Sequence, residues 1–267
     1  MAPSRIMTGA LALCALAAAG ARAQEAGPAG TPVDLSHAFD EATVYWPTAD
    51  PFALRVESYG PTPAGFWYAA NAFCAAEHGG THLDAPIHFA EGKRTAAQIP
   101  LEDLMGPAVV VDVTERTAAD RDHLVSVADL EAWEAAHGPL PRRAIVLLRT
   151  GWSERWPDRA AYLGTSERGP AAVADLHFPG LDPEAARWLV EGRDVRAVGI
   201  DTASIDRGQS TDFRAHRVLA AADVPIFENL TRLDALPAKG AWVVALPMKI
   251  ERGTGGPLRA IAFVPEE

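Results

Sequence analysis

The sequence predicts one α/β domain with a mixed β-sheet core and peripheral helices. Two observations lead there. A chain of 267 residues, 48% hydrophobic and without a low-complexity run, can bury a full-sized core in one domain. Short apolar runs bounded by Gly and Pro also recur along it, as strands do, and they outnumber the stretches long enough for helices.

Residues 1–23 are laid out as a secretory signal peptide. Arg5 gives a positive start, Ile6 to Ala19 is a short apolar run, and Ala21-Arg22-Ala23 fits a small-x-small cleavage site. The run falls short of the ~20 residues that span a bilayer, which disfavours a transmembrane anchor. Leu13 before Cys14 does not suit a lipoprotein. A secreted or periplasmic location is expected, with no membrane span after cleavage. Cleavage leaves one cysteine, Cys74, which has no internal disulfide partner and reads as a small buried apolar residue.

Residues 24–31, rich in Gly, Ala and Pro, read as a linker, and the folded domain is expected over 32–267, starting with a strand at Pro32 to His37. Trp46, made extended by Pro47, is either a pocket wall or a core aromatic. Phe52–Val56 and Gly65–Ala75 read as strands, Ile99–Met105 as a helical turn, and Pro107–Val113 as a buried strand. Ser126, with Asp129 three residues on, caps a helix that runs to about His137. Ala144–Arg149 is another buried strand, and Asp182 with Pro183 opens a helix to about Val190. Val195–Ile200 is a strand ending at Asp201-Thr202, where α/β proteins often carry function. A helix over Arg214–Ala222 carries His216, and the short strand Pro225–Glu228 follows it. Trp242–Pro247 and Leu258–Val264 close the chain as two strands, with Gly253-Thr254-Gly255-Gly256 read as a turn between them.

A formal net charge of −11, with no basic run, argues against a nucleic-acid groove and leaves a small molecule or metal ion as the expected partner. The chemistry concentrates in His-Gly-Gly-Thr-His-Leu-Asp-Ala-Pro-Ile-His-Phe, residues 78–89. Three of the chain's eight histidines and a carboxylate fall there within eleven residues. Imidazole and carboxylate suit zinc, manganese or another divalent ion. Gly79-Gly80 and Pro86 exclude a helix. In an extended segment His82 and Asp84 point to one face with Cα atoms ~6.7 Å apart. The glycine pair can then bend His78 back toward them, and Pro86 can turn the exit toward His88. No G-x-S-x-G elbow, H-E-x-x-H helix, C-x-x-C pair or Walker loop competes.

The stretch HGGTHLDAPIH resembles the H-x-G-T-H-x-D-x-P-x-H signature of the cyclase family, which includes bacterial kynurenine formamidase and the isatin hydrolases. Asp34 to His37, Gly199 to Thr202, Ser204 to Asp206 and Ala245 to Lys249 look like further landmarks in the family's order. The resemblance implies a swivelling β/β/α fold. It carries over His78, His82 and Asp84 as metal ligands, with Asp84 a candidate bridge between two ions, and His88 as the general acid/base. It adds His216 and, twelve residues on, Glu228 as ligands of one or two divalent ions, Zn or Mn. A homodimer or higher oligomer is implied as well.

The implied reaction is hydrolysis of a C–N amide bond by ion-activated water. An aryl formamide such as N-formylkynurenine is the leading substrate, and a cyclic amide such as isatin is the alternative. Glu228 stands where isatin hydrolases carry glutamine and favours the first. The signal segment, Phe66-Trp67-Tyr68 and Gly255-Gly256-Pro257 look more like the second. Trp46, Phe66, Trp67 and Phe73 are the candidate aromatic wall for the substrate. A secreted metal- or ligand-binding protein without catalysis, and a lyase on the same site, complete the readings.

Overall fold

The computed structural model describes residues 30–266. The expected signal peptide over 1–23, with Cys14, and most of the 24–31 linker lie outside the described residues. In chain order the elements are β1 (Thr31–Asp34), β2 (Ala53–Pro61), β3 (Trp67–Cys74), β4 (His82–Asp84), α1 (Leu101–Leu104), β5 (Met105–Asp112), α2 (Thr114–Ala119) and β6 (Leu124–Val125). They continue with α3 (Val127–His137), β7 (Ile145–Arg149), α4 (Arg159–Leu163), β8 (Gly180–Leu181), α5 (Pro183–Gly192), β9 (Ala197–Ile200), α6 (Arg214–Ala221), β10 (Ile226–Glu228), β11 (Lys239–Pro247) and β12 (Gly255–Val264). The expected helices start where their caps were read: Ser126 and Asp129 form a reciprocal capping box, and Asp182 caps α5.

The mixed sheet runs β1-β12-β11-β5-β7-β9-β10-β4, and β4 also pairs with β12, which closes it into a barrel. Strands β5, β7, β9 and β10 are parallel, joined by helical crossovers, and β4, β11 and β12 are antiparallel to their neighbours. The parallel strands are apolar on both faces because both are covered. Along β5 and β7, Ala108, Val110, Ile145 and Leu147 fill the interior. The alternate residues Val109, Val111, Val146 and Leu148 pack outward against Leu130 and Trp133 of α3, Ala185 and Leu189 of α5, and Leu219 of α6. Each fully buried aliphatic side chain of this kind contributes ~1.5–3 kcal/mol.

Three expectations are corrected. Gly255-Gly256 is not a turn but the start of β12, paired with Asp84 and Leu83. The partner strand lies about 170 residues away, so no local pattern could announce it. Cys74 is exposed, because β2 and β3 form a two-stranded ribbon apart from the barrel. For the same reason Phe66, Trp67 and Phe73 are 59%, 60% and 53% exposed. Among the described residues no helix is long and apolar enough to cross a membrane.

Candidate metal centre

Strand alternation places the first candidate ligands. On β4, Leu83 points into the barrel, so His82 and Asp84 face outward; on β10, Phe227 points inward and Glu228 stands opposite His82. Helix α6 packs on this outer face through Ala215 and Leu219, with His216 buried beneath it. The glycine pair bends the chain as its sequence suggests. Gly80 sits at φ +59°, and a Cβ on Gly79 would lie 2.1 Å from the Tyr45 ring. His78 is thereby returned to within 5.5 Å of His82, ring centre to ring centre. After Pro86 the chain makes one tight turn, which stacks His88 on His78 at 3.8 Å.

Hydrogen bonding fixes what the histidines present. His216 Nδ1 donates to Asp206 Oδ2 at 2.6 Å, and His82 Nδ1 donates to the Gly80 carbonyl at 2.9 Å. Their Nε2 lone pairs are thus turned on carboxylates. His216 Nε2 lies 3.1 Å from both Asp84 Oδ2 and Glu228 Oε1. His82 Nε2 lies 3.1 Å from Asp84 Oδ1 and 3.4 Å from Glu228 Oε2. His78 Nδ1 approaches Asp84 Oδ1 at 2.6 Å. Acceptors facing acceptors in a buried site repel unless positive charge sits among them.

The titration directions report the same demand. Burial opposes charge on His216, yet the facing carboxylates of Asp206, Asp84 and Glu228 hold its pKa well above the usual value. Burial likewise opposes charge on Asp84, but the imidazoles of His78, His216 and His82 around it hold it well below the carboxylate range. The donors form two groups that share Asp84, His78-His82-Asp84 and Asp84-His216-Glu228, each with its donor atoms within 4.8 Å of one another. Nitrogen and oxygen donors converging with no lysine or arginine among the described residues that line them fit a divalent ion.

His88 remains off the ligand cluster, its Nε2 3.8 Å from Asp84 Oδ2. Burial pushes this imidazole down to about 4, with Asp84 pulling it partly back, so it is neutral at pH 7 and able to accept a proton. The cluster floors a cleft of about 310 Å³ whose walls include Trp46, Tyr45, Phe89 and Phe213. Of the four expected wall aromatics, the structure brings Trp46 to the cleft; Phe66, Trp67 and Phe73 stay on the ribbon, away from this chain's cleft. Sequence reasoning missed Phe89, one residue beyond His88, and Phe213, three before His216. Adjacency to ligands was the available signal. Phe213 also holds a left-handed backbone at φ +48°, a conformation bulky residues rarely adopt.

The family profile described as putative cyclase matches residues 33–207. The isatin hydrolase of Roseibium aggregatum is 38% identical over 210 residues, which is 76% of this chain and 77% of that protein. The kynurenine formamidase of Paracidovorax citrulli is 32% identical over 202 residues, covering 73% of this chain and 80% of its own. In three dimensions the isatin hydrolase A of Ralstonia solanacearum superposes with a TM-score of 0.79 at 35% identity, over 88% of this chain and 92% of the other. With the signature histidines gathered on one barrel face and these likenesses spanning most of its length, the chain belongs to the putative cyclase family.

Proposed function

We propose that the protein hydrolyses the C–N bond of a small uncharged cyclic aryl amide of the isatin type, with His78, His82, Asp84, His216 and Glu228 as ligands of one or two divalent ions. Family membership and the donor cluster support metal-dependent amide hydrolysis in general. One observation carries the narrower reading. Among the described residues, the cleft walls are mostly apolar and aromatic, and neither lysine nor arginine lines it. N-formylkynurenine bears an α-carboxylate and an ammonium group. Beyond the ion's own ligands that carboxylate would find no lysine or arginine to pair with in the cleft wall, whereas a flat neutral bicycle needs none. The isatin hydrolase relative is also the more similar of the two, so the cyclic amide replaces the aryl formamide as the leading reading.

A divalent ion bound here supplies a water of lowered pKa and polarises the amide carbonyl. The chain does the rest. His88, neutral and beside Asp84, takes the proton as the water oxygen bonds to the carbonyl carbon, then returns it to the nitrogen as the C–N bond breaks. Trp46, Phe89 and Phe213 hold the aromatic ring over the ligands and exclude bulk water. Incubating purified, Zn- or Mn-loaded protein with isatin tests this. Ring-opened product carrying one added water is expected. Loss of water from a hydroxylated substrate in place of addition would make the enzyme a lyase, and no turnover with either metal would remove the substrate reading.

Two further expectations stand as proposals. Secretion with cleavage before Gln24 is checked by N-terminal sequencing of the mature protein. Homodimerisation is supported by the exposed Leu54, Val56, Tyr59, Phe66, Trp67 and Phe73 of the ribbon, which isolated in water would be marginal.

A further inference from the structure

The segment Gly253-Thr254-Gly255 closes over the metal ligand whose second nitrogen is otherwise unaccounted for. Thr254 Oγ1 lies 2.8 Å from His78 Nε2 and 2.5 Å from Glu77 Oε2, and the Thr254 amide also donates to Glu77 Oε2 at 2.9 Å. A carboxylate only accepts, so the single hydroxyl proton of Thr254 goes to Glu77. The Thr254 oxygen must then accept, which places the single ring proton of His78 on Nε2 and leaves Nδ1 bare. That bare nitrogen is the one 2.6 Å from Asp84 Oδ1.

The backbone is built for this approach. A Cβ on Gly255 would fall 2.6 Å from His78 Cε1 and 2.4 Å from the Leu83 carbonyl oxygen, and one on Gly253 would fall 2.9 Å from Glu77 Oε1. The segment is fastened on both sides, the Thr254 carbonyl accepting Ala85 N at 2.8 Å and the Gly253 carbonyl accepting Ala96 N at 2.9 Å. His216 and His82 have their own orienting acceptors, Asp206 and Gly80; Thr254 backed by Glu77 is the third of the set.

We propose that Glu77 and Thr254 are positioning residues for His78, a two-residue relay that fixes the tautomer and ring orientation in which His78 offers Nδ1 to the ion it shares with His82 and Asp84. The proposal rests on the metal-centre reading above. It is tested by metal affinity, from competition with a chromophoric chelator, and by the visible spectrum of the Co²⁺-loaded full chain. Thr254→Val, which keeps the shape and deletes the hydroxyl, is expected to weaken the affinity by about 10–100-fold and to alter the Co²⁺ bands. Thr254→Ser is expected to restore both, and Glu77→Gln, which keeps an acceptor without its charge, to fall between them. His82→Ala serves as the control that loses metal. Wild-type affinity and an unchanged Co²⁺ spectrum in Thr254→Val, beside a metal-free His82→Ala, would overturn the relay alone. Undiminished metal in His82→Ala would overturn the centre on which it rests. A Thr254→Val that fails to fold leaves the Ser and Gln variants to decide: affinity in Glu77→Gln equal to wild type would then count against the relay.

Discussion

The cleft and the β2–β3 ribbon are built from the same aromatic residue types and put them to opposite use. In the cleft, Trp46, Phe89 and Phe213 are held against the ligand cluster, with Phe89 4.4 Å from the His216 ring and 5.2 Å from Phe213. On the ribbon, Tyr59 and Trp67 meet edge to face at 5.1 Å, yet both remain mostly exposed. The difference lies in what backs them. The cleft aromatics sit on segments pinned to a closed barrel, whereas the ribbon has no layer behind it in this chain. In this chain the aromatic run next to the metal motif leaves the core and does not line the chain's own cleft. Such a run signals a surface for another molecule.

That contrast can be broken at several depths. Stripping the ion with a chelator, or replacing His82 with Ala, is expected to take hydrolysis below detection, with Zn or Mn restoring the stripped wild type but not the variant. Metal analysis beside the assay checks it. His88→Ala is expected to lower kcat by ~10²–10⁴-fold while leaving bound metal unchanged; an unchanged rate would turn the protein toward the non-catalytic binding reading. Phe213→Ala should raise KM for isatin by about 2- to 10-fold, since an aromatic contact is worth ~0.5–1.5 kcal/mol and tenfold in affinity is about 1.4 kcal/mol. The mildest effect is expected on the ribbon. Trp67→Ser should shift the oligomeric state seen by light scattering and change the stability of the single chain by no more than ~0.5 kcal/mol. A large KM effect from Trp67→Ser in a protein that remains monomeric would erase the distinction between the two regions.

The local half of the candidate centre was legible because its residues fall within one short bent segment around β4. His78, His82, Asp84 and His88 are read directly from the glycine pair, the alternation and Pro86. His216 and Glu228 sit on α6 and β10, and residue pattern alone made them candidates; the family resemblance tied them to the site, and the structure brings them there. The parallel strands were visible as apolar runs, but closure into a barrel was not, because the β4–β12 pairing joins two short segments far apart in sequence. The same pairing hid Thr254 and Glu77: a Gly-rich stretch reads as a turn until its partner strand is known. Phe66, Trp67 and Phe73 lie off this chain's cleft, which the sequence could not show, because alternation gives the faces of a strand but not which face meets a core.

A metal centre under an apolar cleft that no described lysine or arginine lines is expected to select a neutral cyclic aryl amide. The most direct test is the ratio of kcat/KM for isatin to that for N-formylkynurenine, measured on one metal-loaded preparation. A ratio well above one is expected, by tenfold or more if the unpaired carboxylate costs about 1.4 kcal/mol. A ratio below one, with N-formylkynurenine the better substrate, would contradict it.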